Sequence, residues 1–555
     1  ADRPGTDYSY THNWPYDPEV GNTPTSANIL WSILAIVILF VGIGGVLYVY
    51  GQFKELPGGP FEENPDRTLT TEDLEEGRVR PGQRATYKFF VVGVVLFLLQ
   101  VLAGIGTAGD FVGLGESLGL DLASLIPVTV ARSWHIMLQI LWFFVCWIGY
   151  SIFFVPVVVG GEPPGQRRLV DVLFGLGVVL SVGVMVGIYL GPMGYLGEDL
   201  AYWLGSQGWE FHEFGRLWHL LTLVAFLLWV VIIFRGVKPA LKEGKWSLPA
   251  WLVYAIAGMV AFFFLGLLVT QESNFAISDF WRWMTVHMWV EATFEVFTTV
   301  IVAYLLVLMG LTSRKLAERT IFLAVFLFLA TAILGIAHNF YWIAKPTGTL
   351  ALGSVFSTLQ VLPLLLLTLD AWQMRQKTDD AEKRRRRGEQ EYVMGGVWLF
   401  ILATNFWNIF GAGVFGSMIN LPIINYFEHS TYLTGNHAHA AMFGVKGNVA
   451  LAGVLFCCRH LIAPKAWSAK LIRTVFWSLN GGLVLMMVLD LFPVGLYQFW
   501  VVLQEGLWYA RSHHFVGGQV FQTFTWLRSI GGTLFLLGGV VPLVWFVVSR
   551  ARSLR

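Results

Sequence analysis

Long apolar runs separated by short polar segments set the pattern of this chain. About thirteen stretches reach the ~20 apolar residues that a spanning helix needs, near 29–50, 88–107, 130–159, 170–192, 215–235, 249–271, 283–311, 320–343, 350–371, 392–415, 434–460, 469–490 and 523–548. The connecting segments alternate in charge. One set carries Arg167 and Arg168, Arg235 with Lys238, Lys242 and Lys245, Arg314 with Lys315 and Arg319, Lys383 to Arg387, Arg459 with Lys465, Lys470 and Arg473, and Arg550, Arg552 and Arg555; the other set, at 109–131, 193–214 and 416–433, has no basic residue before the spans resume. The positive-inside rule puts the first set in the cytoplasm, the N-terminus outside and the C-terminus inside. The Lys383–Arg387 run reads as a solvated loop that helps fix this topology.

Composition narrows the class. Hydrophobic residues make up 55% and charged residues 13%, against roughly 25% charged in soluble globular chains. The 37 basic and 36 acidic residues nearly cancel, so no nucleic-acid partner is indicated. Cys146, Cys457 and Cys458 lie in apolar runs without a CxxC or CxxCH motif, which excludes a disulfide framework and argues against covalently attached haem. The fold class is all-α integral membrane. Residues 1–28 are polar, start with Ala and carry no signal-peptide pattern, so they read as an extracytoplasmic segment ahead of a polytopic domain at 29–555. No internal repeat supports an inverted-repeat transporter.

Ionisable residues inside spans are costly and therefore point to function. They concentrate at His135; at His287, Glu291 and Glu295; at His338; and at His437, His439 and Lys446. In HMWVEATFE the spacing of four stacks His287, Glu291 and Glu295 on one helical face, and imidazole with carboxylate suits a first-row metal such as iron or zinc. A buried hydrogen bond between helices would explain one such residue better than three in register. In NHAHAAMFG, His437 and His439 stand about 200° apart around the helix, so they cannot share one metal. Each could hold a separate haem, one on either side of the helix. His135 begins its span at a matching depth and offers the second imidazole of a bis-histidine haem. Lys446 lies on roughly the face of His439. A structural ion pair and a water-lined proton path are equally good readings of it.

HMWVEATFE, AHNFYWIAKPTG, GSVFSTLQVLPLLLLTLDAW and NHAHAAMFGV, with YTHNWPYDPEVGNTPTSA, WEFHEFGR and YFEHSTYLT, together resemble the quinol-dependent nitric oxide reductases of the haem–copper oxidase superfamily. The likeness covers essentially the whole chain. It implies a leading helix and an external domain upstream of residues 1–28. It implies a low-spin haem b between His135 and His439, a high-spin haem b on His437, and a non-haem iron on His287, Glu291 and His338. Glu295 matches an acid near that iron, and Glu210 matches a calcium ligand. The implied setting is a multi-pass protein of the bacterial inner membrane acting on nitric oxide, in contact with lipid and compatible with a homodimer.

Three departures carry more information than the matches. The reductases have a second histidine where Asn339 stands, and an amide oxygen is a weaker donor than imidazole. They have a glutamate where Gln360 stands, and an amide does not shuttle protons. Where quinol docks they have a His and a Glu four apart; this chain has Thr107 and Phe111, with Asp110 nearby, so quinol is not expected in the usual site. Reduction of two NO to nitrous oxide consumes electrons and protons, whereas conversion of two NO to dinitrogen and dioxygen consumes neither. The pattern looks like that of the proposed nitric oxide dismutases. Asn339, Gln360, Glu291 and Glu295 are then the candidate catalytic residues. A quinol-dependent reductase is the nearest alternative and a gas-binding sensor without turnover the next. An oxygen-reducing oxidase is disfavoured because HMWVEATFE lacks a His-Tyr cross-link pattern and a glutamate ligand favours iron over copper.

Overall fold

The computed structural model describes residues 23–55, 77–208, 213–242, 247–334, 346–385 and 393–555. Thirteen helices among them are long and apolar enough to cross a membrane. They are α1 (Ser26–Gln52), α2 (Pro81–Asp110), α3 (Val128–Val159), α4 (Gln166–Leu190), α5 (Arg216–Val237), α6 (Leu248–Leu268), α7 (Trp289–Leu308), α8 (Arg314–Leu334), α9 (Thr347–Gln376), α10 (Gly395–Asn420), α11 (Tyr432–Leu461), α12 (Ala469–Glu505) and α13 (Gln519–Ser553). No strand is formed among the described residues; the one bridge pairs Ile462 with Leu554. The protein is an all-α integral membrane bundle. Saturating the backbone hydrogen bonds within each segment is what a lipid environment demands.

Each apolar stretch read from hydropathy coincides with one span, most boundaries falling within about seven residues; the expected end of the eighth, at 343, lies outside the described residues, and the largest difference is in the twelfth. α12 runs past Asp490 to Glu505, about 55 Å of helix where the hydrocarbon core needs about 30 Å. Asp490 ended the expected span because a lone carboxylate interrupts an apolar run. In the structure it is fully buried, and Arg528 Nη1 of α13 lies 3.4 Å from its Oδ2.

α3, α7 and α11 are the most enclosed spans and α1 the least. α3 supplies the aromatic centre: Phe144 stacks on Trp289 at 5.4 Å, and Trp147 meets Phe297 at 5.1 Å. These rings fix α7 and the turn before it against α3. At one end of α3, Gly160 adopts φ 78°, the left-handed conformation that lets a helix stop without a Cβ penalty.

The regular α pattern breaks at several places, five of them in or beside the spans that carry the candidate residues. Met284–Met288, Ala292–Phe297, Asn408–Phe415, Ala440–Gly447 and Met487–Leu491 are π-helical. Such wide turns are rare, and they rotate the following side chains relative to an α register. They hold His287, Glu295, Gly411, Lys446 and Asp490 in turn.

Candidate cofactor and metal site

His135, at the start of α3, and His439, on α11, come together with ring centroids 6.2 Å apart and planes inclined by 28°. A metal–nitrogen bond of about 2 Å on each side plus the ring radii adds to roughly this separation. In each ring Nδ1 meets a backbone carbonyl. His135 Nδ1 lies 2.9 Å from the Gln100 carbonyl, and His439 Nδ1 lies 2.8 Å from the Gly435 carbonyl. A histidine ligand characteristically donates its second N–H to a carbonyl, which orients the ring and leaves Nε2 for the metal. Gly104 of α2 makes the approach possible, since a Cβ there would stand 2.7 Å from the His135 ring.

His437 uses the same device on the opposite side of α11. Its Nδ1 lies 2.8 Å from the carbonyl of Gly411, inside the π-helical turn of α10. That turn comes so close to α11 that a Cβ on Gly411 would meet Ala440 at 2.8 Å. The two histidines of HAH therefore address different neighbours, α3 for His439 and α10 for His437. All three residues fit haem ligation: rings oriented by backbone carbonyls, with Nε2 as the remaining donor.

On the turn leading into α7, His287 Nε2 and Glu291 Oε1 are 3.1 Å apart. Two donors each about 2.1 Å from one ion stand about 3 Å apart, so the pair fits two ligands of a single metal. Both residues are buried. His338 and Asn339, the third ligand and its neighbour, lie outside the described residues, as does Glu210. Among the described residues no cluster of three or more His, Cys, Asp or Glu forms a metal site.

Glu295 turns to another partner. Its Oε1 lies 3.4 Å from Nζ of Lys446, which is 3% exposed. This ion pair ties α7 to α11, and it answers the cost of a lysine in mid-span. Gln360 is buried on α9, and its Nε2 donates to Thr331 Oγ1 of α8 at 2.8 Å. Its Oε1 has no hydrogen-bond partner among the described residues. The next residue, Val361, accepts through its carbonyl from Asn408 Nδ2 at 2.8 Å. Asn408 opens the π-helical turn that holds His437, so Gln360 is joined to the haem-ligand region through one hydrogen bond.

Arg528 and Asp490 were not singled out by the sequence reading. Arg528 Nη2 lies 3.2 Å from His439 Nε2, the nitrogen left for a metal. The signal was present, since each is a charged residue within an apolar stretch. His219 is fully buried on α5, with Nε2 3.1 Å from the Phe263 carbonyl of α6, whose Gly266 leaves room for the ring.

At the end of α2 beside His135, Thr107 donates to Ala103 of its own helix at 2.9 Å, and Phe111 is 40% exposed with its ring 6.2 Å from Phe521. Asp110 is exposed on the rim of a cleft of about 750 Å³ lined by Leu102, Gly106, Ala131, Trp134 and Leu138.

Two comparisons bear on this arrangement. The chain is similar to a nitric oxide reductase polypeptide of Stutzerimonas stutzeri, 27% identical over 472 residues that cover 84% of this chain and 94% of that protein. The family described as Cytochrome C and Quinol oxidase polypeptide I matches residues 84–534. That match runs from α2 into α13 and takes in every histidine placed above, and the chain accordingly belongs to the cytochrome c and quinol oxidase polypeptide I family of the haem–copper oxidases.

Proposed function

We propose that this protein is an oxidoreductase acting on nitric oxide, and specifically a nitric oxide dismutase that converts two NO to dinitrogen and dioxygen. The observation that carries the specific reading is Gln360. At the position where the resemblance implies a glutamate there is a buried amide, its NH2 committed to Thr331 and its carbonyl oxygen without a partner among the described residues. This group offers a free acceptor and delivers no proton. Glu295, paired with Lys446, is likewise tied down.

In this reading His135 and His439 hold a low-spin haem b, and His437 holds a high-spin haem b. His287 and Glu291 hold non-haem iron with His338 and Asn339, and Glu210 contributes to a calcium site. These groups supply the redox-active metals at which NO binds. The chain's own part is to fix ring orientation through the Gln100, Gly411 and Gly435 carbonyls and to keep mobile acids away. The protein is placed in a bacterial cytoplasmic membrane with the α1 N-terminus outside, as the loop charges indicate.

A second reading is favoured by one observation. The cleft beside α2 is large and mostly apolar, which suits a quinol and hence a quinol-dependent reductase making nitrous oxide. Doubly labelled NO given to anaerobic purified holoprotein without donor separates the two. Equal labelled dinitrogen and dioxygen supports the dismutase. Nitrous oxide formed only after quinol is added supports the reductase, and absence of any gas product would sink both in favour of a gas-binding protein.

A further inference from the structure

Cations from three separate parts of the chain converge on one cleft at the end of the bundle opposite the haem histidines. α2 begins there, the turn between α3 and α4 folds against it, and the last residues of α13 and beyond close the third side. The arrangement is built. Both carboxylate oxygens of Glu162 accept from the Gly82 N–H, at 2.9 and 3.1 Å, and Arg80 Nη2 donates to the Gly160 carbonyl at 3.3 Å. The cleft is about 990 Å³, and its charged lining is Arg80, Arg84, Lys88, Arg167 and Arg555 with a single acid, Asp171.

That acid is already engaged. Lys88 pairs with one of its oxygens, and Arg167 Nε lies 3.7 Å from the other. Arg84 is exposed and has no side-chain partner among the described residues. One wall is apolar: Val91 and Val92 of α2 and Phe174 of α4 are partly exposed, with the Lys88 ammonium 4.6 Å from the Phe174 ring centroid. Among the described residues, five cations against two acids that are both committed, Asp171 to Lys88 and Arg167 and Glu162 to the Gly82 N–H, leave a local excess of positive charge at the point where polar loop meets apolar span.

We propose that this cleft binds the phosphate headgroup of an anionic phospholipid, whose acyl chains run along Val91, Val92 and Phe174. Guanidinium groups match phosphate oxygens in charge and geometry. Basic pockets between spans on the cytoplasmic side suit such headgroups, and the loop charges assign this end to that side. Orientation alone would be served by cations scattered over the loops; gathering them around one cleft with an apolar wall is additional. A free phosphate would use the cations but not the wall. The inference is independent of which product the NO site makes.

The test uses detergent-purified holoprotein. Native mass spectrometry and thermal unfolding would be followed with phosphatidylglycerol, with phosphatidylcholine and with inorganic phosphate. Retention of one phosphatidylglycerol and a rise in unfolding temperature, both weakened by salt and absent with phosphatidylcholine, are expected. Arg84→Gln and Arg167→Gln should each weaken binding about fivefold, equivalent to about 1 kcal/mol per cation, with the haem spectrum unchanged as the control for folding. Equal retention of phosphatidylcholine would overturn the proposal. Stabilisation by inorganic phosphate to the same degree would overturn the lipid as its source. Should either variant fail to fold, the salt dependence and lipid ranking of the unaltered protein still decide.

Discussion

The last turns of α2 and the histidine stretch of α11 both border His135, through Gly104 and His439, and they are furnished in opposite ways. On α11 each histidine ring is oriented through Nδ1 by a backbone carbonyl, and Arg528 stands 3.2 Å from the second nitrogen of His439. On α2 the one hydroxyl, that of Thr107, is spent on its own helix, and Phe111 presents a ring to Phe521. One surface gathers imidazoles, and the other borders an apolar cleft with few polar groups. Under the proposed reading, the histidines suited to haem stand in place while the position expected to receive electrons from quinol carries Thr107 and Phe111, with only Asp110 as a charged group nearby. A site that handles NO without an outside donor needs only the first.

The largest effect that could break this contrast comes from the histidines themselves. His437→Ala and His439→Ala should each remove one haem b of the two expected per chain, losing the high-spin and the low-spin signature respectively, as read by absorption spectra and haem extraction. If both variants kept both haems, the assignment of the two sides of α11 would fall. Gly104→Val belongs to the same class. The added branched side chain would occupy the place of the His135 ring, whose nearest atoms lie 2.7 Å from the Cβ position, so the low-spin spectrum should be lost while the high-spin one remains.

Next in size is the pair that ties α7 to α11. Glu295→Gln leaves the Lys446 ammonium, whose side chain is 4% exposed, without this carboxylate; breaking a buried pair from one side costs about 3–5 kcal/mol. Lys446→Met should cost less, because the Glu295 side chain is 24% exposed and keeps some hydration. The double variant should recover much of the loss. Unfolding of the three variants in detergent checks the order, and a Glu295→Gln variant as stable as the parent would show that the pair carries no such energy.

Glu428, in the turn between α10 and α11, supplies a pH-dependent test. It is fully buried, with Thr434 Oγ1 donating to Oε2 at 3.2 Å, and burial pushes its carboxyl up to about 8 against the opposing effect of that hydrogen bond. A raised carboxyl favours the neutral form in the folded state. Its contribution to stability is full below the ordinary carboxylate range and is lost as pH rises through about 8. Glu428→Gln should therefore match the parent in acid and exceed it in unfolding temperature above that pH. Parallel pH profiles would contradict the buried neutral acid.

How far these features could be read in advance depends on what carries them. Thirteen apolar stretches and the histidines within them are written in residue type, and hydropathy finds them. The carbonyls that orient His135, His437 and His439 belong to backbone and leave no mark in composition. The π-helical turns are also silent, since an extra residue per turn changes which side chains meet without changing the apolar pattern. A spacing of four groups Glu295 with His287 and Glu291, but its pairing with Lys446 of α11 could not be read from that spacing. Arg528 and Asp490 were legible as charges in apolar stretches, but their meeting beside His439 joins two spans far apart in sequence.

The smallest expected effect sharpens the contrast from the other side. If the end of α2 has no part in the chemistry, Thr107→Val should change nothing there beyond a bond internal to the helix. Loss of one such half-exposed bond alters stability by at most about 0.5 kcal/mol, so NO turnover without donor should stay within about twofold of the parent and the haem spectrum should not move. In a protein whose quinol docked on this position, where the resemblance puts the donor, turnover with added quinol would fall. Measuring both rates in Thr107→Val, with and without quinol, therefore asks whether this end of α2 takes part in turnover or only adjoins the site.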